Sequence, residues 1–373
     1  MKPKSRSFIK YRFWISIASI IVALLTLEVS LRIYDSFAGY GFLSQHRNVI
    51  GNSNQSNRAV TPFRTFGFPL YKITNNTRHI LSRHGELYPF EKPQATYRIV
   101  VFGGSSTENE YSYTATQTHY PLLLQSQLRE TLNTDNIEVI NVGNSAYATP
   151  HSLILFELDV LSWEPDMIIV SHNINDLLTA YWPNFAFDYS NKYGTKHYMP
   201  IMYNLSTSDI LFQQSRLYWF VSDKVDRLQP ANINLLSRSS YGNALKPDVT
   251  NTFKRNLNTF VAIAKHNNIK VLLGNQPLQR NEEYFDNHMG HKNYNDIVKY
   301  PLHDEFILHH NAFNQIIEEV AKEANVLFID NDSFLANDEK LFIDYIHYEP
   351  EGVEILAKHY ADFILANNII AIN

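Results

Sequence analysis

Five short runs C-terminal of residue 96 are apolar at nearly every position: "YRIVVFG" (97–103), "IEVINVG" (137–143), "DMIIVSH" (166–172), "IKVLLGNQ" (269–276) and "NVLFID" (325–330). A strand with one face in water alternates apolar and polar residues, whereas a strand covered on both faces reads as a continuous apolar run. Between the runs lie helix-length segments at 120–132, 149–163, 208–228, 250–266 and 305–323, and a final one carrying Val353, Leu356, Tyr360 and Phe363 at helical spacing. Strands alternating with helices in this way predict a five-stranded parallel sheet between two helical layers, a three-layer α/β/α domain over residues 97–373.

The N-terminus has a different character. Lys2, Lys4, Arg6, Lys10 and Arg12 precede "FWISIASIIVALLTLEVSL" (13–31), whose one charge is Glu28. Nineteen residues at about 1.5 Å each give roughly 28 Å, close to the hydrocarbon thickness of a bilayer. The excess of cations ahead of the span predicts a cytoplasmic N-terminus and an extracytoplasmic body. No small-residue cleavage pattern follows, so an uncleaved anchor is expected. The expected organisation is a basic tail (1–12), a transmembrane anchor (13–31), a stalk and lead-in (32–96) that is polar and asparagine-rich from 35 to about 60, and the α/β domain (97–373).

Of the 373 residues none is cysteine, which excludes a thiolate nucleophile, a disulfide framework and cysteine-bound zinc. A formal charge of −5 with no basic cluster in the body argues against a nucleic-acid partner. His288, His291, His303, His309 and His310 fit no ligand spacing, so no metal and no other cofactor is expected. Residues 178–205 and 277–304 are too long and aromatic for simple connections. They are candidates for substrate contact or for covering the core. "SRLYWF" (215–220) reads as core or membrane-proximal packing.

Ligands of doubly wound sheets bind beyond the carboxyl ends of the strands. There the sequence offers Gly104, Ser105, Ser106 and Thr107; then Gly143, Asn144 and Ser145; then His172, Asn173, Asn175 and Asp176; and, before the last helix, "DYIH" with Asp344 and His347. These are the parts acyl transfer requires. A serine hydroxyl needs a base, and His347 is one, with Asp344 three residues away, a spacing that can put both on one side of a helical turn so that the carboxylate fixes the tautomer. The Ser105 N–H, the Gly143 N–H and the Asn175 amide could donate to an oxyanion. Ser106 and Ser145 remain rival nucleophiles, and Asp176 reads as a helix N-cap.

In this order, "GGSST", "NVGNSAY", "NIND" and "DYIH" resemble the four blocks of the SGNH hydrolases, also called the GDSL family, and the opening span followed by "EVSLRIY" resembles its membrane-anchored bacterial members. The resemblance runs from residue 97 to the C-terminus. It implies a flavodoxin-like sheet, Ser105 as nucleophile, Gly143 and Asn175 as oxyanion donors beside the Ser105 N–H, and Asp344 with His347 completing the triad. Gly104 stands where the family often has Asp, and Asn173 where block three usually begins with Gly. The expected activity is a serine esterase cleaving O-acyl esters, such as acetyl, on a small molecule or an envelope or exported glycan. An O-acetyltransferase using the same triad and a non-catalytic glycan-binding assembly factor are the alternatives.

Overall fold

The first apolar run forms strand β4 (Tyr97–Gly103), in which every residue is buried. This computed structural model describes residues 6–37, 63–64, 66–193, 212, 215–218, 220–221, 245–286, 300–336 and 338–370. The chain divides into two units, Met1–Ser56 with Thr195–Pro230, and Asn57–Gly194 with Ala231–Asn373.

In the larger unit β4 is joined by β5 (Ile137–Asn141), β6 (Met167–Ser171), β7 (Lys270–Gly274) and β8 (Leu327–Ile329). All neighbours are parallel and the spatial order is β5-β4-β6-β7-β8. In chain order that is 2-1-3-4-5, the flavodoxin-like winding expected above. The chain leaves β4 on one side and returns to β6 on the other, so the crevice for a ligand opens between their C-terminal ends. β4 fills its predicted run, while the other four strands stop one to two residues short of theirs because the next residues turn over the sheet edge, as where Val142 N–H reaches Val101 O and Asn144 N–H reaches Gly103 O.

Successive side chains of a strand point to opposite faces, and both faces here are apolar. Ile99, Val101, Val139 and Ile169 pack with Leu124 and Leu128 of helix α2 (Tyr120–Leu132) and with Val353 and Tyr360 of helix α6 (Pro350–Ala366). On the other face Phe102 meets Phe156 of helix α3 (Thr149–Leu158) and Phe260 of helix α4 (Pro247–His266) edge-on. Phe253 of α4 stacks on Phe313 of helix α5 (His303–Ala324). Each such buried side chain contributes about 1.5–3 kcal/mol relative to exposure.

Part of the expected stalk and lead-in forms strands. Residues 71–89 form an antiparallel sheet of β1 (Tyr71–Thr74), β2 (Thr77–Leu81) and β3 (Leu87–Pro89). Asn75 and Asn76, both at positive φ, make the two-residue turn whose twist suits a hairpin. Arg98, buried on β4, donates to Glu138, to Trp163 O and to Pro89 O, so the end of β3 is tied to the main sheet.

The smaller unit holds helix α1 (Arg6–Phe37), which contains the span read from the sequence. The helix over residues 11–37 is long and apolar enough to cross a membrane, and its most apolar stretch of 18 residues has mean hydropathy 2.1 and is not buried against protein. Glu28 accepts from the Arg216 N–H at 2.8 Å, the Leu217 N–H at 2.7 Å and the Ser215 hydroxyl at 3.0 Å, while Arg216 pairs with Asp35 at 2.8 Å. The one charge of the span therefore faces the start of the "SRLYWF" segment. Most of the helix predicted at 208–228 lies outside the described residues.

Candidate active site

Strand β4 ends on two glycines because nothing larger fits. A Cβ at Gly103 would lie 2.0 Å from the Thr107 hydroxyl and 2.8 Å from Ser171 O, and one at Gly104 would lie 2.5 Å from the Asn175 side-chain nitrogen. The chain turns there into one helical turn, Ser105–Glu108. At its first position the Ser105 N–H has no acceptor inside the helix. At Gly104, where the family often has Asp, the Asn175 amide occupies the space that a side chain would take.

The fourth polar segment is a loop, so the three-residue spacing is used without a helical turn. Residues 342–348 form a loop closed by the Phe342–Tyr348 bridge and by Ile343 N–H to His347 O at 2.9 Å. Asp344 shapes it: Oδ1 accepts from the Ile346 N–H at 2.9 Å and the His347 N–H at 2.8 Å, an Asx turn that competes with helix formation. Its second oxygen, Oδ2, lies 2.8 Å from His347 Nδ1, and His347 Nε2 lies 2.7 Å from Ser105 Oγ. Residues 242 apart in sequence thus make one hydrogen-bonded run, half-buried at the C-terminal edge of the sheet. With the carboxylate accepting at Nδ1, the imidazole presents a bare Nε2 to the serine proton.

The two side donors are placed differently. Asn175, just past β6, gives one amide proton to Tyr147 O at 2.9 Å and sits against Gly104, leaving its second N–H beside the Ser105 turn. Gly143 packs its backbone on the same turn, where a Cβ would come within 2.8 Å of Glu108 N and Thr107 Cβ. Its N–H, however, is donated to Asn141 Oδ1 at 2.9 Å. As placed, that proton serves the loop, and an oxyanion would have to take it from Asn141.

Residues 101–355 match the family described as GDSL-like Lipase/Acylhydrolase. The chain belongs to this family. It is accordingly an acylhydrolase, acting on ester bonds. No curated protein matches the chain. Among solved structures it is similar to LAE5, an alpha/beta hydrolase from the metagenome of Lake Arreo (14% identity, covering 74% of this chain and 96% of that one, TM-score 0.41). It is also similar to the lipase/acylhydrolase of Enterococcus faecalis (15%, 73% and 97%, TM-score 0.41) and to the acetyl xylan esterase Axe2 of Geobacillus stearothermophilus (15%, 72% and 95%, TM-score 0.40).

Against this GDSL frame the rival residues find other partners. Ser106 is buried, donates to Ile346 O at 3.3 Å and accepts from the Gln276 amide at 2.9 Å, so it ties the histidine loop to β7. Ser145 donates to the Glu108 carboxylate. Asp176 does not cap its own turn. It accepts from the Thr149 N–H at 3.1 Å and from the Thr149 hydroxyl, holding the start of α3, and burial pushes its carboxyl up to about 7. Asn173 is structural, giving its amide to His310 O and to Asn314 Oδ1. His309 bonds the Tyr181 hydroxyl, while His288 and His291 lie outside the described residues. Among the described residues no group of three or more His, Asp or Glu side chains is placed to hold a metal ion.

Both long excursions are described only in part, at 178–193, 277–286 and 300–304. These parts bury Tyr181, Trp182, Tyr189, Phe285 and Tyr300, so they cover the core, and Phe285 and Phe306 pack on Tyr345 beside the histidine. One residue here gave no signal in the sequence. Lys192, fully buried, donates to the Asn175 carbonyl at 3.2 Å and to the Tyr193 hydroxyl, which donates in turn to Ala146 O. Burial pulls its ammonium down to about 7, with Asp176 opposing.

Proposed function

We propose that this protein is a membrane-anchored serine esterase that removes O-acyl groups by a double displacement, with acetyl on an envelope or exported glycan as the substrate class to test first. The observation that supports it above all is the unbroken run Ser105 Oγ, His347 Nε2, His347 Nδ1, Asp344 Oδ2. In this reading Ser105 Oγ attacks the ester carbonyl while His347 Nε2 takes its proton. The oxyanion is met by the Ser105 N–H and the Asn175 amide, with Gly143 as a third donor once Asn141 is released. His347 then gives the proton to the departing alcohol, the acyl group stays on Ser105, and a water activated by the same imidazole releases the acid. Asp344 stabilises the imidazolium without being protonated itself.

Helix α1 is the anchor in this reading. The cations before residue 13 keep the N-terminus in the cytoplasm, and residues 32–96 lead to a domain on the far side, where acylated glycans would be met. The test is turnover of p-nitrophenyl acetate by the wild type and by Ser105→Ala, together with mass measurement of the acyl-enzyme trapped with a slow ester. A loss of about 10³-fold or more and an adduct on the peptide bearing Ser105 are expected. Undiminished turnover in the alanine variant would sink the reading. Adding glycan acceptor and finding acylated glycan in place of free acid would assign the same serine to a transferase.

A further inference from the structure

The family match begins at residue 101, yet residues before it reach the nucleophile turn. The β2–β3 connection brings Arg83 against Glu108, three residues beyond Ser105. Arg83 Nε lies 2.6 Å from Glu108 Oε1, and a second guanidinium nitrogen reaches the same oxygen. The two side chains are 6% and 2% exposed, so this is a desolvated pair, strongly disfavoured if either partner is lost. Arg83 also donates its backbone N–H to Asn141 O at 2.9 Å, and His84 Nε2 meets the Glu108 carbonyl.

A pair serving stability alone needs only this contact. The other carboxylate oxygen, Oε2, is instead bonded to the hydroxyl of Ser145, two residues beyond Gly143. The Gly143 backbone itself lies flat on Thr107 and Glu108. One carboxylate therefore spans the two edges between which an ester carbonyl would have to sit: the Ser105 turn and the Gly143–Ser145 loop. The geometry points to Glu108, clamped by Arg83, as a positioning residue: it straps the Gly143–Ser145 loop to the nucleophile turn and so sets the spacing of oxyanion donors. This inference rests on the reading of Ser105 as nucleophile. An error of about 1 Å in such spacing is enough to cost two orders of magnitude in rate.

Glu108→Gln is the obvious variant, but it leaves Arg83 buried without its charge partner and could fail for that reason alone. Ser145→Ala removes only the strap and keeps the ion pair. With p-nitrophenyl acetate, Ser145→Ala is expected to lower kcat about 10-fold to 100-fold, with KM within twofold and the thermal midpoint unchanged, and Ser145→Thr is expected to restore most of kcat. An alanine variant with wild-type kcat, or a threonine variant as slow as alanine, would overturn the proposal. Labelling of the wild type by a fluorophosphonate separates the two readings. Without labelling at Ser105 the esterase reading itself fails, whereas a labelled wild type with an unaffected Ser145→Ala fails the strap alone.

Discussion

The two halves of the site are built in opposite ways. Asp344 and His347 take their geometry mainly from their own neighbours: the bridge, the Asx turn and the carboxylate-imidazole bond all fall within residues 342–348, and the loop is tied to the rest of the domain through the Tyr345 and Ile346 carbonyls and the Tyr345 ring. The Ser105 turn is held from everywhere else: Ser171 and Asn175 from β6, Gly143 and Ser145 from β5, Arg83 from the small sheet, Gln276 and Ile346 through Ser106. A seven-residue loop closes at little entropic cost, while contacts spanning tens to hundreds of residues form only when the whole sheet does. The difference implies that the local half can be altered with the fold intact, and that the non-local half cannot.

The largest expected effect on turnover tests the first claim. In Asp344→Asn the amide oxygen can still accept from the Ile346 and His347 N–H groups, but its NH2 faces His347 Nδ1. The ring is forced to carry its proton on Nε2, where it cannot take one from Ser105. A fall in kcat of about 10⁴-fold with an unchanged thermal midpoint is expected. A midpoint drop of several degrees would break the comparison. Next comes Gly104→Ala, in the non-local half. The new Cβ, 2.5 Å from the Asn175 nitrogen and 3.3 Å from Tyr147 O, must expel the amide. Loss of one donor is expected to cost about 100-fold in kcat, and the overpacking about 1–3 kcal/mol of stability. Full stability with reduced kcat would show that the nucleophile turn is as independent as the histidine loop.

The same contrast governs how much could be read from the sequence. The five strands were legible because burial on both faces leaves a continuous apolar run, and "DYIH" because spacing and geometry coincide when a motif is local. The antiparallel sheet was not. Its strands are three to five residues long, and Ile73 lies exposed while Ile80 is buried, so no apolar stripe accumulates. Its turn signal, Asn75–Asn76, lies in the lead-in, where no apolar run flanks it to mark strands. Arg83 and Glu108 are 25 residues apart with no local pattern joining them. Lys192 sat in an aromatic excursion where an isolated lysine would ordinarily be solvated. For Gly143 the sequence offers a backbone N–H donor, but no pattern in it shows that the Asn141 side chain holds that proton.

The smallest effect on turnover concerns how the lead-in sheet docks. His84 stacks on Tyr113, ring centroids 4.0 Å apart, beside His119, Arg83, Glu108 and Glu110. Burial pulls its imidazole down to about 4, against an opposing hydrogen bond to the Glu108 carbonyl. Between pH 6.5 and 4 the unfolded chain therefore binds a proton that the folded His84 refuses, so stability falls as pH drops through that window. The full shift corresponds to about 3 kcal/mol. His151 and His172, held near 3 by burial, act in the same direction, whereas Glu86, drawn down to about 2 by His119 despite its own burial, adds a loss only below about pH 4.5. His84→Gln should therefore remove one part of the slope of thermal midpoint against pH between 6.5 and 4.5 and leave kcat at pH 7.5 within about twofold. A slope identical to wild type would mean that His84 is not among the groups through which the sheet docks, and that the non-local half of the site has one fewer tie than the structure draws.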